Sequence, residues 1–147
     1  MKKRVKKVTL SRKKGARQAL VKNLAKSLVV AGRIKTTKTK AKFAAGYIEK
    51  LVSLAKQDTL AGQRRIFSAL SDKKVVKKLI LEIGPKFASK TSGFTRIINL
   101  SQRRGDAAPM VFLEFAYPSG TAAKKAASQP EVKELENENK NRKKQDK

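Results

Sequence analysis

The chain has 147 residues with 37 Lys and Arg against 11 Asp and Glu, so its formal charge is +26, and 39% of it is hydrophobic with few aromatics. One domain's length and a modest aliphatic core are implied. Self-repulsion at that charge calls for a polyanionic partner, nucleic acid before an anionic membrane surface. The absence of Cys and His excludes disulfides, thiolate zinc sites and imidazole-based catalysis. Apolar runs such as Leu28 to Ala31 fall far short of the roughly 20 residues that a membrane span needs.

Charge is not spread evenly. Residues 1–48 contain 16 Lys or Arg and no acid. Residues 1–15 cluster Lys2, Lys3, Arg4, Lys6, Lys7, Arg12, Lys13 and Lys14 around too few apolar groups to bury. They read as a basic arm that a partner orders. A helix is predicted from about Ala16 to Ala31, with Leu20, Val21, Leu24, Ala25 and Leu28 inward, Lys22, Asn23 and Lys26 opposite, and Gly32 as its left-handed terminator. The β-branched Arg33 to Thr37 stretch predicts a strand.

A second helix, about Lys38 to Gln57, has the cleanest stripe: Ala41, Ala44, Ala45, Ile48, Leu51, Val52 and Ala55. Asp58 is the expected N-cap of a third helix, about Thr59 to Leu70, burying Leu60, Ile66, Phe67 and Leu70. Ser71 or Asp72 caps a fourth, about Lys73 to Ile83, which Gly84-Pro85 ends. The pattern then turns extended. Phe94 to Leu100 and Met110 to Tyr117 predict two antiparallel strands, with Arg33 to Thr37 able to join them. The fold class is therefore α+β, about four helices on a small mixed or antiparallel sheet. Residues 16–117 form the single domain, and 118–147 a charged, disordered tail.

Three constellations carry functional content. Thr36, Thr37, Lys38, Lys40 and Lys42 gather at the start of the second helix, where lysines oppose the helix dipole unless an anion compensates. Exposed amides, hydroxyls and ammonium groups are what a phosphate needs; Thr37 as an ordinary cap beside solvated lysines is the plainer alternative. The loop holding Lys86, Ser89, Lys90, Thr91 and Arg96 is basic and hydroxyl-rich, suited to a sugar-phosphate backbone, whereas its phenylalanines read as core. Arg103 and Arg104 suit bidentate phosphate contacts, while Asp106 simply stabilising the turn or pairing with an arginine is the equally weighted plain alternative. Aromatics interleaved with basic residues are too few for a single-strand reading surface. The acids Asp58, Asp72, Glu82, Asp106 and Glu114 are scattered, with no metal or paired-carboxylate spacing.

Six motifs in order then carry a resemblance: Arg17-Gln18-Ala19-Leu20 with Lys22-Asn23-Leu24-Ala25-Lys26-Ser27-Leu28; Ile34-Lys35-Thr36-Thr37 followed by Lys40-Ala41-Lys42; Leu54-Ala55-Lys56; Gly84-Pro85-Lys86-Phe87-Ala88-Ser89; Gly93-Phe94-Thr95-Arg96-Ile97; and Gly105-Asp106-Ala107-Ala108-Pro109-Met110. The chain resembles the bacterial-type large-subunit ribosomal protein seventeen family over most of residues 12–117. It departs at Ala16, where members carry histidine, and at Phe94, where tyrosine is usual. The resemblance implies a non-enzymatic, cytoplasmic component of the large ribosomal subunit, bound to rRNA near the polypeptide exit region beside neighbouring ribosomal proteins. It implies no cofactor, metal, membrane or small-molecule substrate. The arm residues, Arg17, Lys22, Asn23, Lys26 and Lys35, and the three constellations are the expected rRNA contacts. Mostly backbone recognition is expected, since folded RNA offers chiefly shape, phosphates and 2′-hydroxyls. A DNA-compacting protein and an RNA-modifying enzyme are the rival classes.

Overall fold

The computed structural model describes residues 9–118. Its first helix, α1, spans Lys14–Ala31 and ends where Gly32 turns left-handed at φ +75°, donating its amide to Leu28. The helix starts two residues before the expected Ala16, drawing Lys14 and Gly15 out of the arm. Val21, Ala25, Leu28 and Val29 are buried. Strand β1 is Arg33–Thr37 and helix α2 is Lys38–Gln57, both with the predicted bounds. The small-residue stripe Ala41, Ala44, Ile48, Leu51, Val52 and Ala55 lets α2 lie at the centre, against α1, α3 and all three strands.

Asp58 does not cap the third helix. It is the left-handed residue that ends α2, at φ 44°, and its carboxylate accepts from Gln63. The reversal needs a residue that tolerates positive φ, which Asp does better than the β-branched Thr59. Thr59 is then free to take the extended cap conformation of α3, Leu60–Leu70, with its Oγ1 accepting from the Gly62 amide at 3.1 Å. The inward stripe of α3 is Gly62, Ile66 and Leu70 at fourfold spacing. Leu60 precedes it and Phe67 lies one position round from Ile66, so both stay exposed, at 63% and 43%, contrary to the sequence expectation.

Asp72 caps α4, Lys73–Lys78, accepting from the amides of Lys74 and Val75. The helix widens into a π-helical turn, Leu79–Ile83, so that Leu79, Ile80 and Ile83 all stay buried. Gly84 closes the turn with its amide on Leu79. A Cβ there would come within 3.1 Å of the backbone oxygens of Ala55 and Ile80, so a larger residue would make the turn or α2 give by a few tenths of an ångström. A 3-10 turn, Pro85–Phe87, follows.

Strands β2, Thr95–Gln102, and β3, Pro109–Phe115, complete an antiparallel sheet of order β1-β3-β2. Val111, Leu113 and Phe115 face the helices. Alternation places Met110, Phe112 and Glu114 on the other face. Phe87 is fully buried, edge-on to Phe94 at 5.3 Å and stacked on Tyr117 at 5.1 Å, so the loop phenylalanines are core as predicted. The expected disorder of the tail, and the arm clusters from Lys2 to Lys7, lie outside the described residues.

Candidate nucleic-acid interface

Strand β1 delivers Thr37 in extended conformation to the start of α2, where its side chain makes no capping hydrogen bond and the first turn holds no acid. Lys38 and Lys42 are exposed and Lys40 half-buried. Among the described residues none of the three has a carboxylate within salt-bridge distance. α1 begins in the same way: Lys13 makes no capping bond, and no acid follows. α3 and α4, by contrast, are closed by Thr59 and Asp72. The uncapped starts thus coincide with the basic third of the chain, and each leaves amides, a partial positive charge and lysines for an outside anion. Thr36 is not part of that offer, because it is buried opposite Val111 on the core side of the sheet.

Between α1 and α2 runs a groove of about 460 Å³, lined by Arg17, Gln18, Val21 and Lys22 on one side and Phe43, Gly46, Tyr47 and Lys50 on the other. The cations Arg17, Lys22 and Lys50 rim two half-buried aromatic rings. Tyr47 donates its hydroxyl to the Ala69 carbonyl at 3.3 Å, and burial raises its pKa. Arg17 also donates to the Arg12 carbonyl at 3.1 Å, holding the chain before α1 against the helix. Sequence reasoning missed Phe43, Tyr47 and Lys50. The signal was present: Phe43, Gly46, Tyr47 and Lys50 recur at helical spacing, beside the small-residue stripe that drew the attention.

Several cations, expected contacts such as Arg96 among them, have partners inside the fold. Arg33 and Arg96, on the two outer strands, both face Glu114 on the middle strand, at 2.6 Å and 2.5 Å. Burial raises the pKa of Glu114, but its hydrogen bonds to Arg96 and Arg33 outweigh that, and the net direction is down. Lys90 donates to the carbonyls of Gly93 and Ala116, clipping the loop to the end of β3. Arg103 grips Asp106 bidentately at 2.9 Å and 2.5 Å across the β2–β3 turn. That hydrogen bond chiefly holds the Asp106 carboxyl down to about 2. Asp106 is therefore an arginine partner that also accepts from the Ala108 amide to stabilise the turn, and Arg104 is the exposed arginine there without a carboxylate partner among the described residues.

Lys86 lies over the Tyr117 ring at 5.4 Å, and Ser89 and Thr91 are exposed beside it. Arg12 folds back on the Leu10 carbonyl, while Lys13, Lys14, Asn23 and Lys35 are exposed and Lys26 half-buried. The structure thus brings Arg17 and Lys22 to one groove, leaves Lys38, Lys40 and Lys42 along the start of α2 without bringing them onto one face, and commits Lys90, Arg96 and Arg103 to internal bonds. Among the described residues no three His, Cys, Asp or Glu side chains are grouped to hold a metal, and no helix is long and apolar enough to cross a membrane.

These features define a small basic α+β protein in which few cations of the described residues pair with a carboxylate, and two open helix starts and the α1–α2 groove each hold several that do not. The family model described as Ribosomal protein L17 matches residues 20–116, and the chain belongs to that family, one of structural ribosomal proteins and not of enzymes. Similar relatives are each named large ribosomal subunit protein bL17. That of Sulfurihydrogenibium sp. (strain YO3AOP1) is 47% identical over 121 residues, covering 81% of this chain and all of the relative. That of Campylobacter lari is 46% identical over 106 residues, covering 72% and 91%. That of Carboxydothermus hydrogenoformans is 46% identical over 105 residues, covering 71% and 94%.

Proposed function

We propose that this chain is a structural constituent of the large ribosomal subunit that binds and stabilises large-subunit rRNA, mainly through its phosphate backbone, near the polypeptide exit region and beside other large-subunit proteins. The carrying observation is the start of α2, where Lys38, Lys40 and Lys42 fall in the first five residues of a helix without a side-chain cap, and none of them has a carboxylate partner among the described residues. A phosphate there replaces the missing cap and neutralises the lysines at once. The names of the relatives support the subunit, and the exit-region placement rests on the family resemblance alone.

In this reading residues 1–13 are a basic arm entering the RNA, residues 14–117, beginning with α1, the domain that fixes the arm's origin, and residues 118–147 a charged tail. The α1–α2 groove receives the strand beside the arm: Arg17, Lys22 and Lys50 take phosphates while Phe43 offers its ring to an unstacked base. Lys26, Asn23, Lys35, Lys86, Ser89, Thr91 and Arg104 extend the binding surface. Lys90, Arg96 and Arg103 serve it chiefly by holding the backbone in place.

The test is sedimentation of a tagged full chain from a cell lysate through a high-salt sucrose gradient, with rRNA read in every fraction. Salt strips adventitious electrostatic binders. Stoichiometric co-migration with the large subunit is expected. Migration with chromosomal DNA, or as free protein, would overturn the reading in favour of a DNA-compacting role.

A further inference from the structure

A second groove, of about 440 Å³, lies between α3 and the α4 turn, and its chemistry differs from the first. Phe67, Val76 and Leu81 form an apolar floor, rimmed by Arg64, Lys73 and Lys77. Phe67 and Leu81 remain 43% and 61% exposed, although both are large and apolar. Contiguous exposed apolar surface beside concentrated positive charge fits an occupant that is apolar on one side and acidic on the other.

The chain carries such a segment. Residues 131–138 read Glu-Val-Lys-Glu-Leu-Glu-Asn-Glu and hold four of the 11 acids, Glu131, Glu134, Glu136 and Glu138, around Val132 and Leu135. Those two apolar residues are three apart, so a helical turn would present both on one side. The segment also starts from the right place. Tyr117, next to the last described residue, stacks on Phe87 and lies under Lys86. It is near enough to Glu82, the neighbour of Leu81, for that carboxylate to add to the rise that burial gives its hydroxyl pKa. Residues 119–130 separate this point from Glu131. Fully extended, a connection of that length reaches about 40 Å, more than the roughly 26 Å that twice the radius of gyration of a 100-residue domain gives.

We propose that residues 131–138 of the same chain dock in the α3–α4 groove, seating Val132 and Leu135 on Phe67, Val76 and Leu81 while the four glutamates face Arg64, Lys73 and Lys77. The tether makes a weak interaction sufficient, because a short linker supplies an effective concentration in the millimolar range. Docking covers the apolar floor. It also holds the carboxylates on α3 and α4, away from the cations of the α1–α2 groove. The proposal is independent of the rRNA reading.

The chain has no cysteine, so Asn137→Cys in the full-length protein takes a single nitroxide label. Amide signals of Phe67, Val76 and Leu81 are expected to lose intensity severalfold, while that of Ser27 in α1 is untouched. Adding Leu135→Asp to the labelled chain should restore them. Equal loss at α1 and α3–α4, or loss that survives Leu135→Asp, would overturn the proposal. So would loss seen only when a labelled copy is mixed with a separate isotopically enriched copy, which would make the occupant a second molecule.

Discussion

α2 and α4 begin with nearly the same chemistry and resolve it oppositely. Each follows an extended residue, Thr37 or Asp72, and each opens with two lysines in its first three positions, Lys38 and Lys40 or Lys73 and Lys74. In α4 the Asp72 carboxylate accepts from two amides and supplies a negative charge beside the lysines. In α2 no side chain does either. A basic helix start is therefore not in itself a binding feature. In our proposal it becomes one where the fold leaves its anion out, as at the start of α2.

The largest expected effect concerns the sheet, where one carboxylate serves two cations as Asp72 serves α4. Glu114→Gln leaves Arg33 and Arg96 facing a neutral amide and should cost about 1–2 kcal/mol by urea unfolding, a buried charge-assisted network discounted for half-exposed arginines. Its pH dependence follows from the lowered pKa of Glu114. A carboxyl depressed in the folded state adds stability above its unfolded value, roughly pH 4.3, and loses it as pH falls through the folded value. The wild-type midpoint should thus hold near neutrality and drop in acid, with a shallower drop in Glu114→Gln; equal slopes would detach the sheet from this explanation.

Next in size, Asp72→Ala should destabilise by about 1 kcal/mol, since it removes the cap of α4, and it should leave RNA affinity unchanged. Thr37→Asp makes the opposite exchange, giving α2 the internal anion that α4 has. It should gain roughly 0.5–1 kcal/mol while weakening RNA binding. A variant that gained stability and kept its affinity would show that no phosphate sits at that helix start. Smallest, Lys38→Ala with Lys40→Ala should raise stability by a few tenths of a kcal/mol at low salt, because cations at a helix N-terminus are unfavourable. A clear loss of midpoint would mean that these lysines hold the fold.

Much of this was legible along the chain, for local reasons. The bounds of β1 and α2 follow from a β-branched stretch, a small-residue stripe of constant spacing and a clear terminus, all within one window of sequence. The family motifs lie in the same class of local signal. The misread features are those decided by tertiary packing. Glu114 lies 81 residues from Arg33, so nothing near Arg96 in the sequence shows that it is already paired. Asp58 and Thr59 are both good caps, and only the left-handed reversal after α2 assigns them. Phe43 and Tyr47 look like core residues until α1 is seen to pass beside them with Arg17 and Lys22. Charge density singles out the basic third of the chain, but it overstates the number of free cations, since Arg96, Arg103 and Lys90 have partners inside the fold.

The most direct test of the central claim is the salt dependence of binding to a large-subunit rRNA fragment, measured for the wild type, for Lys38→Ala/Lys40→Ala and for Lys73→Ala/Lys74→Ala. Removing one lysine from a phosphate should reduce the slope of log affinity against log salt by about 0.7–0.9. The α2 pair is therefore expected to lower the slope by about 1.4–1.8, and the α4 pair to leave it nearly unchanged. Equal reductions in both pairs would contradict the account, because they would show an RNA that responds to net charge alone and not to the open helix start.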